Sequence, residues 1–481
     1  MTDGTPAGTR QLSGYARGIG VLDGRVYFSA AGADGLELRV TDGTAAGSHT
    51  VTVLQSGLAG SNPNITSLGS FVVMMTFEGD LQRLWRSDGT PQGTSPIPGF
   101  ALNVPQAFFA NVPPIALGGR LFFEVDRGQG SGGGTPSLDL WRTDGTGPGT
   151  LPLATFGTGQ GLELSVRTEW NGGLLFVASQ GNTCAFWTSD GTAAGTRQIL
   201  PMPAGVDCPA GVTPFGSGFL FVARVDAAGG PVPQLFLSDG TPAGTRQISS
   251  FQQTRAALDP QFVHLGGEAY FQILEPGGDD VEIWRTDGTP NGTQPFFPGL
   301  LPQAFGLTAW NGALYLSADT GTGGQPALVR WAPGDPTPVT LATIDLGFNG
   351  GYSPQLPPFV AAGSQLFFAA RDGVHGFELW ATDGTGPGTR LVRDILPGLL
   401  PSSPRSLTAA GALLFFSADD GEHGRELWVS DGTAAGTRLA ADLNPGGFSS
   451  HPSSLAVAGN DLFFAADDGT TGIEPWALRL P

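Results

Sequence analysis

The chain has 481 residues, 76 of them glycine and 39 proline, and a net charge of −19. That charge repels the phosphates of nucleic acid and an anionic membrane surface, and no apolar run approaches the ~18 residues of a membrane span. Neither a nucleic-acid partner nor membrane insertion is therefore expected. All 23 basic residues are arginine, which excludes chemistry that needs a lysine, such as a P-loop or a Schiff base.

From its first residues the chain repeats itself. The signature Asp-Gly-Thr-x-x-Gly-Thr begins at Asp3, Asp42 (with Ser48 in the last place), Asp88, Asp144, Asp190, Asp239, Asp287, Asp383 and Asp431. The usual spacing is about 48 residues, a period that marks a repeat architecture. The interval from Asp287 to Asp383 is twice that, which predicts a worn copy near Asp335, where Trp331-Ala332-Pro333-Gly334-Asp335 lies. Three residues before most anchors stands an aromatic: Trp85, Trp141, Trp187, Phe236, Trp284, Trp380 and Trp428. Arg39 takes that place in the first copy, and Trp476 marks a tenth. An apolar pair such as Tyr27-Phe28, Phe367-Phe368, Phe415-Phe416 or Phe463-Phe464 precedes the aromatic.

Each copy reads as four short strands joined by tight turns. In the cleanest, 406–409 forms strand A, 413–418 strand B, 425–429 strand C and 437–443 strand D. Strand B is apolar at consecutive positions, as a strand covered on both faces should be. This predicts an all-β fold, a β-propeller of ten four-stranded blades in one ring. Residues 1–12 supply the D strand that closes blade 10. Blades 1 to 10 then occupy 13–55, 56–101, 102–157, 158–203, 204–252, 253–300, 301–347, 348–396, 397–444 and 445–481. Closing the last blade with the first strand abolishes an exposed edge. The alternative is two five-bladed rings with a junction near residue 245.

The runs Glu378-Leu379-Trp380 and Glu426-Leu427-Trp428, each followed by Asp-Gly-Thr-x-x-Gly-Thr, resemble the ELWxxDGT repeat of exported bacterial proteins, sometimes labelled hyalin-like. The resemblance covers essentially the whole chain and is weakest at 327–337. The blade order is similar to TolB-like and WD-repeat propellers, and sortilin-type receptors show that ten blades can close into one wheel. The resemblance implies the fold and export. It implies no activity. The chain opens mid-repeat without a signal peptide, and export with the signal removed is the expected route.

The Asp-Gly-Thr turns have the chemistry of a hairpin: a carboxylate for backbone N–H groups, a glycine for positive φ and a hydroxyl. Calcium is the one cofactor they could suggest, but one Asp and one or two Thr fall short of six to eight oxygens. The B–C hairpins are richer, with Asp34, Asp279-Asp280, Asp372, His375, Asp420, His423 and Asp468. They share a face with D–A loops such as Asn444–His451. Asp372, His375, Asp420, His423 and Asp468 are the candidate binding residues, against the plainer reading of a solvated acidic rim. His375 and His423 hold equivalent places, which favours a repeated hairpin residue over a ligand pair.

No Gly-x-Ser-x-Gly, His-Glu-x-x-His or Cys-x-x-Cys occurs, and no catalytic residue is assigned. Three stretches break the repeat: 101–137 with Phe108-Phe109 and a glycine-rich insertion at 128–134, 206–214 around Cys208, and the worn copy at 327–337. Cys184 and Cys208 either pair as a disulfide or remain two thiols. The expected function is a monomeric, non-enzymatic exported scaffold that binds a protein or glycan through the loop face or central channel. The alternatives are an enzyme acting on polysaccharide or peptide with carboxylates from several blades, and a calcium-stabilised structural module.

Overall fold

A computed structural model describes residues 9–11, 16–42, 47–55, 65–78, 81–103, 114–126, 137–157, 162–180, 183–227, 230–251, 262–274, 281–298, 301, 304–319, 326–347, 359–458, 460–470 and 472–480. The anchor Asp3, the insertion at 128–134, Phe108-Phe109 and Asp279-Asp280 lie outside these residues. The described strands form ten four-stranded antiparallel sheets, nine of them meanders in chain order. In the tenth, Ser453–Ala458, Asp461–Asp467 and Ile473–Arg479 are joined by Thr9–Gln11, with Thr9 opposite Leu478 and Gln11 opposite Trp476. The N-terminal strand thus completes the last blade.

Ten clusters of buried side chains hold the ring, each built from two successive sheets. Strand B is the centre of each blade. Phe122 faces the cluster shared with blade 4 and Phe123 the cluster shared with blade 2, which is why consecutive positions are apolar. One cluster joins Leu220, Val222 and Leu235 of blade 5 to Ala269, Phe271 and Ile273 of blade 6. Another joins Phe463 and Ala477 of blade 10 to Val26 and Phe28 of blade 1. Two five-bladed rings would leave the first of these interfaces open to water, so that alternative is overturned.

In blade 9 the strands run Arg405–Ala410, Leu413–Asp419, Arg425–Ser430 and Arg438–Ala441. Strand D is shorter than the expected 437–443, because Thr437 and Leu443 are engaged in side-chain ties at its two ends. The C–D register shifts by a bulge just before the repeat tryptophan, at Leu379/Trp380 and Leu427/Trp428. The worn copy departs from the pattern. Val329 pairs with Leu316 and occupies the usual aromatic place, while Trp331 sits two residues further on, opposite Leu314. Asp335 still closes that turn, accepting from Arg330 Nη1 at 3.1 Å and Ala332 N at 2.9 Å.

Each Asp-Gly-Thr turn is closed by its own side chains. Asp431 Oδ1 accepts from Thr433 N at 2.8 Å and Thr433 Oγ1 at 2.7 Å, and the Thr433 hydroxyl oxygen accepts from Gly436 N at 3.0 Å. Thr437 donates to the Thr433 carbonyl and contacts Ser430 Oγ, both at 2.7 Å. A Cβ on Gly436 would lie 2.1 Å from the Asp431 carboxylate, so any larger residue there would push that carboxylate from its place in the turn. The same network recurs at Asp88, Asp144, Asp190, Asp239, Asp287 and Asp383. In all seven, the threonine hydroxyl and N–H hold the carboxyl below its usual range. Arginines then tie one blade to the next turn: Arg390 Nη2 donates to Gly432 O at 2.7 Å and Arg246 Nη2 to Gly288 O at 3.1 Å.

Candidate functional site

The B–C hairpins and D–A loops lie on one face of the ring. In blade 8, Asp372 Oδ1 accepts from the N–H groups of Val374 at 2.9 Å and His375 at 2.8 Å, and Oδ2 meets His375 Nδ1 at 2.9 Å. In blade 9, Asp420 repeats this with Glu422 N at 3.0 Å, His423 N at 2.8 Å and His423 Nδ1 at 2.8 Å. Each carboxylate raises the pKa of its histidine, chiefly through that ring hydrogen bond. Burial pushes Asp372 and Asp420 up, but the N–H and ring bonds of their histidines outweigh it and both end below the usual range. Asp468 in blade 10 accepts from Thr470 N at 2.8 Å. Each of these contacts lies within its own hairpin, and His375 Nε2 also comes within 3.9 Å of Asp394 Oδ2 in the D–A loop. Among the described residues no group of three or more His, Cys, Asp or Glu gathers as a metal site.

Sequence reasoning missed a second set of carboxylates, the glutamates of the Glu-Leu-Trp runs. Glu426 is buried and reaches out to its blade's D–A loop. It accepts from Leu443 N at 3.0 Å, Ser450 N at 2.8 Å and Ser450 Oγ at 2.6 Å. Glu378 does the same with Ile395 N at 3.0 Å, Ser402 N at 2.9 Å and Ser402 Oγ at 2.6 Å. Burial is the dominant influence on both, raising Glu378 and pushing Glu426 up to about 7 against the donors that lower it. In blade 5 the place is taken by Gln234, whose amide oxygen accepts from Ser249 Oγ at 2.7 Å and Phe251 N at 3.1 Å and whose amide N–H donates to Phe251 O at 2.9 Å. The available signal was periodic: a Glu five residues before the turn Asp and a Ser nineteen residues after it, in both copies.

These ties make a rigid platform. The loops are further bonded to the hairpins, as Gly376 N to Gly398 O and Ser403 N to Phe377 O, each 2.9 Å. On the platform stand large apolar side chains turned to water. Val374, Leu399, Leu400, Phe448 and Ile473 are between 58% and 73% exposed, above every other large apolar side chain among the described residues. All five belong to the loop face of blades 8 to 10, and Leu400 and Phe448 are one period apart.

Half the ring away, blades 3 and 4 look different. Cys184 and Cys208 form a disulfide, Cα to Cα 5.6 Å, between strand C of blade 4 (Thr183–Ser189) and its D–A loop. Arg167 and Glu124 make an ion pair at 3.0 Å across the blade 3–4 interface, with side chains only 3% and 2% exposed. Beside the disulfide lies a cleft of about 290 Å³ lined by Phe156, Trp187, Thr155, Ser179, Thr183 and Gln198 among others.

No family model and no curated protein matches the chain. Among solved structures it is similar to the computationally designed Ika8 protein, at 14% identity over 76% of this chain and 94% of that one, TM-score 0.37. It is also similar to a Mycobacterium tuberculosis puromycin-hydrolyzing peptidase (13% identity, 74% of this chain and 57% of that one, TM-score 0.37). A third is the β-propeller domain of the Trilobed protease from Pyrococcus furiosus (11%, 68% and 95%, TM-score 0.32). The chain spans less than two thirds of the length of that peptidase.

Proposed function

We propose that this ten-bladed propeller is an exported binding scaffold that docks a protein partner on the loop face of blades 8 to 10. One observation carries the reading: the most exposed large apolar side chains, Val374, Leu399, Leu400, Phe448 and Ile473, share that face. Exposed apolar groups grouped on a rigid support mark an interaction surface. Carboxylates lie on the same loop face, with Asp372 and Glu422 exposed and Asp394, Asp420 and Asp442 half-buried, so the partner is one that offers apolar side chains flanked by basic groups. The hydrogen-bonded hairpins hold the surface in shape before the partner arrives, which lowers the ordering cost of binding. Export is supported by the Cys184–Cys208 disulfide, a bond suited to an oxidising compartment, and by the resemblance to exported ELWxxDGT proteins.

The test is capture of protein partners by the full chain and by the double variant L400D/F448D, with Val339→Asp as a control on strand D of blade 7. The wild type and the control should retain a partner that the double variant loses. Equal capture by the double variant, or self-association of the wild type that the double variant abolishes, overturns the reading.

A further inference from the structure

We infer that the cleft between blades 3 and 4 is a binding site for a neutral sugar, separate from the loop face of blades 8 to 10. Its origin is visible when the sequences of blades 4 and 9 are aligned on their turn aspartates, Asp190 and Asp431. Six and five residues before the turn, blade 9 has Arg425 and Glu426, and blade 4 has Cys184 and Ala185. In blade 9 Arg425 shares the strand face of Leu427, toward blade 10, and its guanidinium donates to Ser403 O at 2.8 Å and Ser417 O at 3.2 Å, whereas Glu426 shares the face of Trp428, toward blade 8. The preceding blade adds Leu396, whose Cδ1 lies 2.8 Å from where a Cβ on Gly421 would stand. Blade 3 has Gly157 at that place. On the face toward the preceding blade two large side chains, Glu426 and Leu396, are therefore replaced by Ala185 and Gly157, and both of these line the cleft.

The lining fits a particular chemistry. Trp187 is half-buried, as are Trp85, Trp284 and Trp476, and it faces the cleft. The edge of Phe156 meets its indole at 5.0 Å and 82°, and Phe176 stacks on it at 6.4 Å and 25°, so the ring is fixed before any ligand arrives. Around it stand the hydroxyls of Thr155, which donates to Asp139 Oδ1 at 2.7 Å, of Ser179 and of Thr183, and the amide of Gln198, and no charged side chain is among the described lining residues. A flat aromatic wall beside neutral hydrogen-bonding groups suits a pyranose, which has one C–H face and a rim of hydroxyls. An anionic or cationic ligand would find no partner for its charge. The volume, about 290 Å³, is at the small end of ligand sites and leaves room for one or two sugar rings.

Saturation-transfer NMR and calorimetry with maltose, cellobiose and lactose test this, with glucuronate and N-acetyl-phenylalanine amide as the charged and aromatic counterparts. At least one neutral disaccharide should bind saturably, with the strongest transfer to the C–H groups of one ring face. Thr183 is exposed at the mouth, so Thr183→Arg should fold as the wild type does and weaken that binding roughly tenfold, a 1.4 kcal/mol change. Trp187→Ala should abolish the ring-face signal. No saturable binding of any of the three sugars, unchanged affinity in Thr183→Arg, or tighter binding of the aromatic amide each overturns the inference. All of these leave the loop-face reading standing, because its variants and its readout are elsewhere in the ring.

Discussion

Blade 9 ties down its D–A loop with a carboxylate, and blade 4 ties down the equivalent loop with a disulfide. The positions correspond closely. Cys184 lies six residues before the turn Asp and Cys208 eighteen after it, where blade 9 has Arg425 and Ser449. In blade 9 those two residues are already joined, Arg425 N donating to Ser449 Oγ at 2.9 Å. The disulfide therefore takes over a contact the repeat makes with a hydrogen bond, and Ala185 gives up the glutamate clamp beside it. The two ties differ in what they leave behind. Glu426 stands on the face toward the preceding blade, while Ala185 and Gly157 line the cleft at that place. The carboxylate tie yields a solid rim that can carry exposed apolar groups, and the covalent tie yields a cleft.

The largest effect expected from breaking this comparison is at the disulfide. Cys184→Ser removes a cross-link that spans 24 residues, worth about 3 kcal/mol in the chain-entropy account. Denaturant melts of C184S should show that loss. Hydrogen exchange should quicken around 202–210 while the amides of Leu443 and Ser450 in blade 9 keep their protection. Equal loss in both loops would mean the two ties are not independent. The next largest effect is at Glu426→Ala, which strips the N–H groups of Leu443 and Ser450 and the Ser450 hydroxyl of their acceptor, a cost of about 2 kcal/mol. Here exchange should quicken most at Ser450, whose N–H is buried, less at the partly buried Leu443, and leave 202–210 unchanged.

Much of this was legible in the sequence, and what was not has a physical reason. The blades were visible because the turn network uses the same residues at the same spacing, Asp431 to Thr437 in one copy and Asp88 to Thr94 in another. The position of the worn copy followed from the period, but its register did not. Without an Asp-Gly-Thr turn nothing fixed whether Val329 or Trp331 would face Leu316, and the bulk of the tryptophan pointed the wrong way. The glutamate clamps were hidden because Glu378 and Ser402 are 24 residues apart and meet only when the loop folds back on strand C. The turn to water of Leu400 and Phe448 was hidden for a related reason, since an apolar residue in a glycine- and proline-rich loop can as well point inward. The equivalence of His375 and His423 was legible from the period, whereas their bonds to Asp372 and Asp420, three residues away, emerge only with the hairpin geometry.

The finest test replaces the carboxylate of blade 9 with the amide that blade 5 already uses. Glu426→Gln keeps the shape and one acceptor oxygen, and Gln234 shows that an amide can hold a D–A loop, so the cost at low pH should be about 1 kcal/mol. The informative difference is in pH dependence. Burial raises Glu426 from 4.5 to about 7, so the folded chain holds its proton where the unfolded chain has released it. More protons bound in the folded state means that stability falls as pH rises between about 4.5 and 7. The turn aspartates act in the opposite sense and elsewhere. Their depressed pKa values give stability that is present above 3.8 and lost as pH falls below it. His375 and His423, with raised values, add stability that is full below 6.5 and lost as pH climbs through their folded pKa. Urea midpoints measured from pH 2.5 to 8 should therefore decline less steeply between 4.5 and 7 in E426Q than in the wild type, with the acid limb below 3.8 and the histidine limb above 6.5 unchanged. If the two profiles run parallel, Glu426 is ionised in the folded blade throughout, and its three donors outweigh its burial.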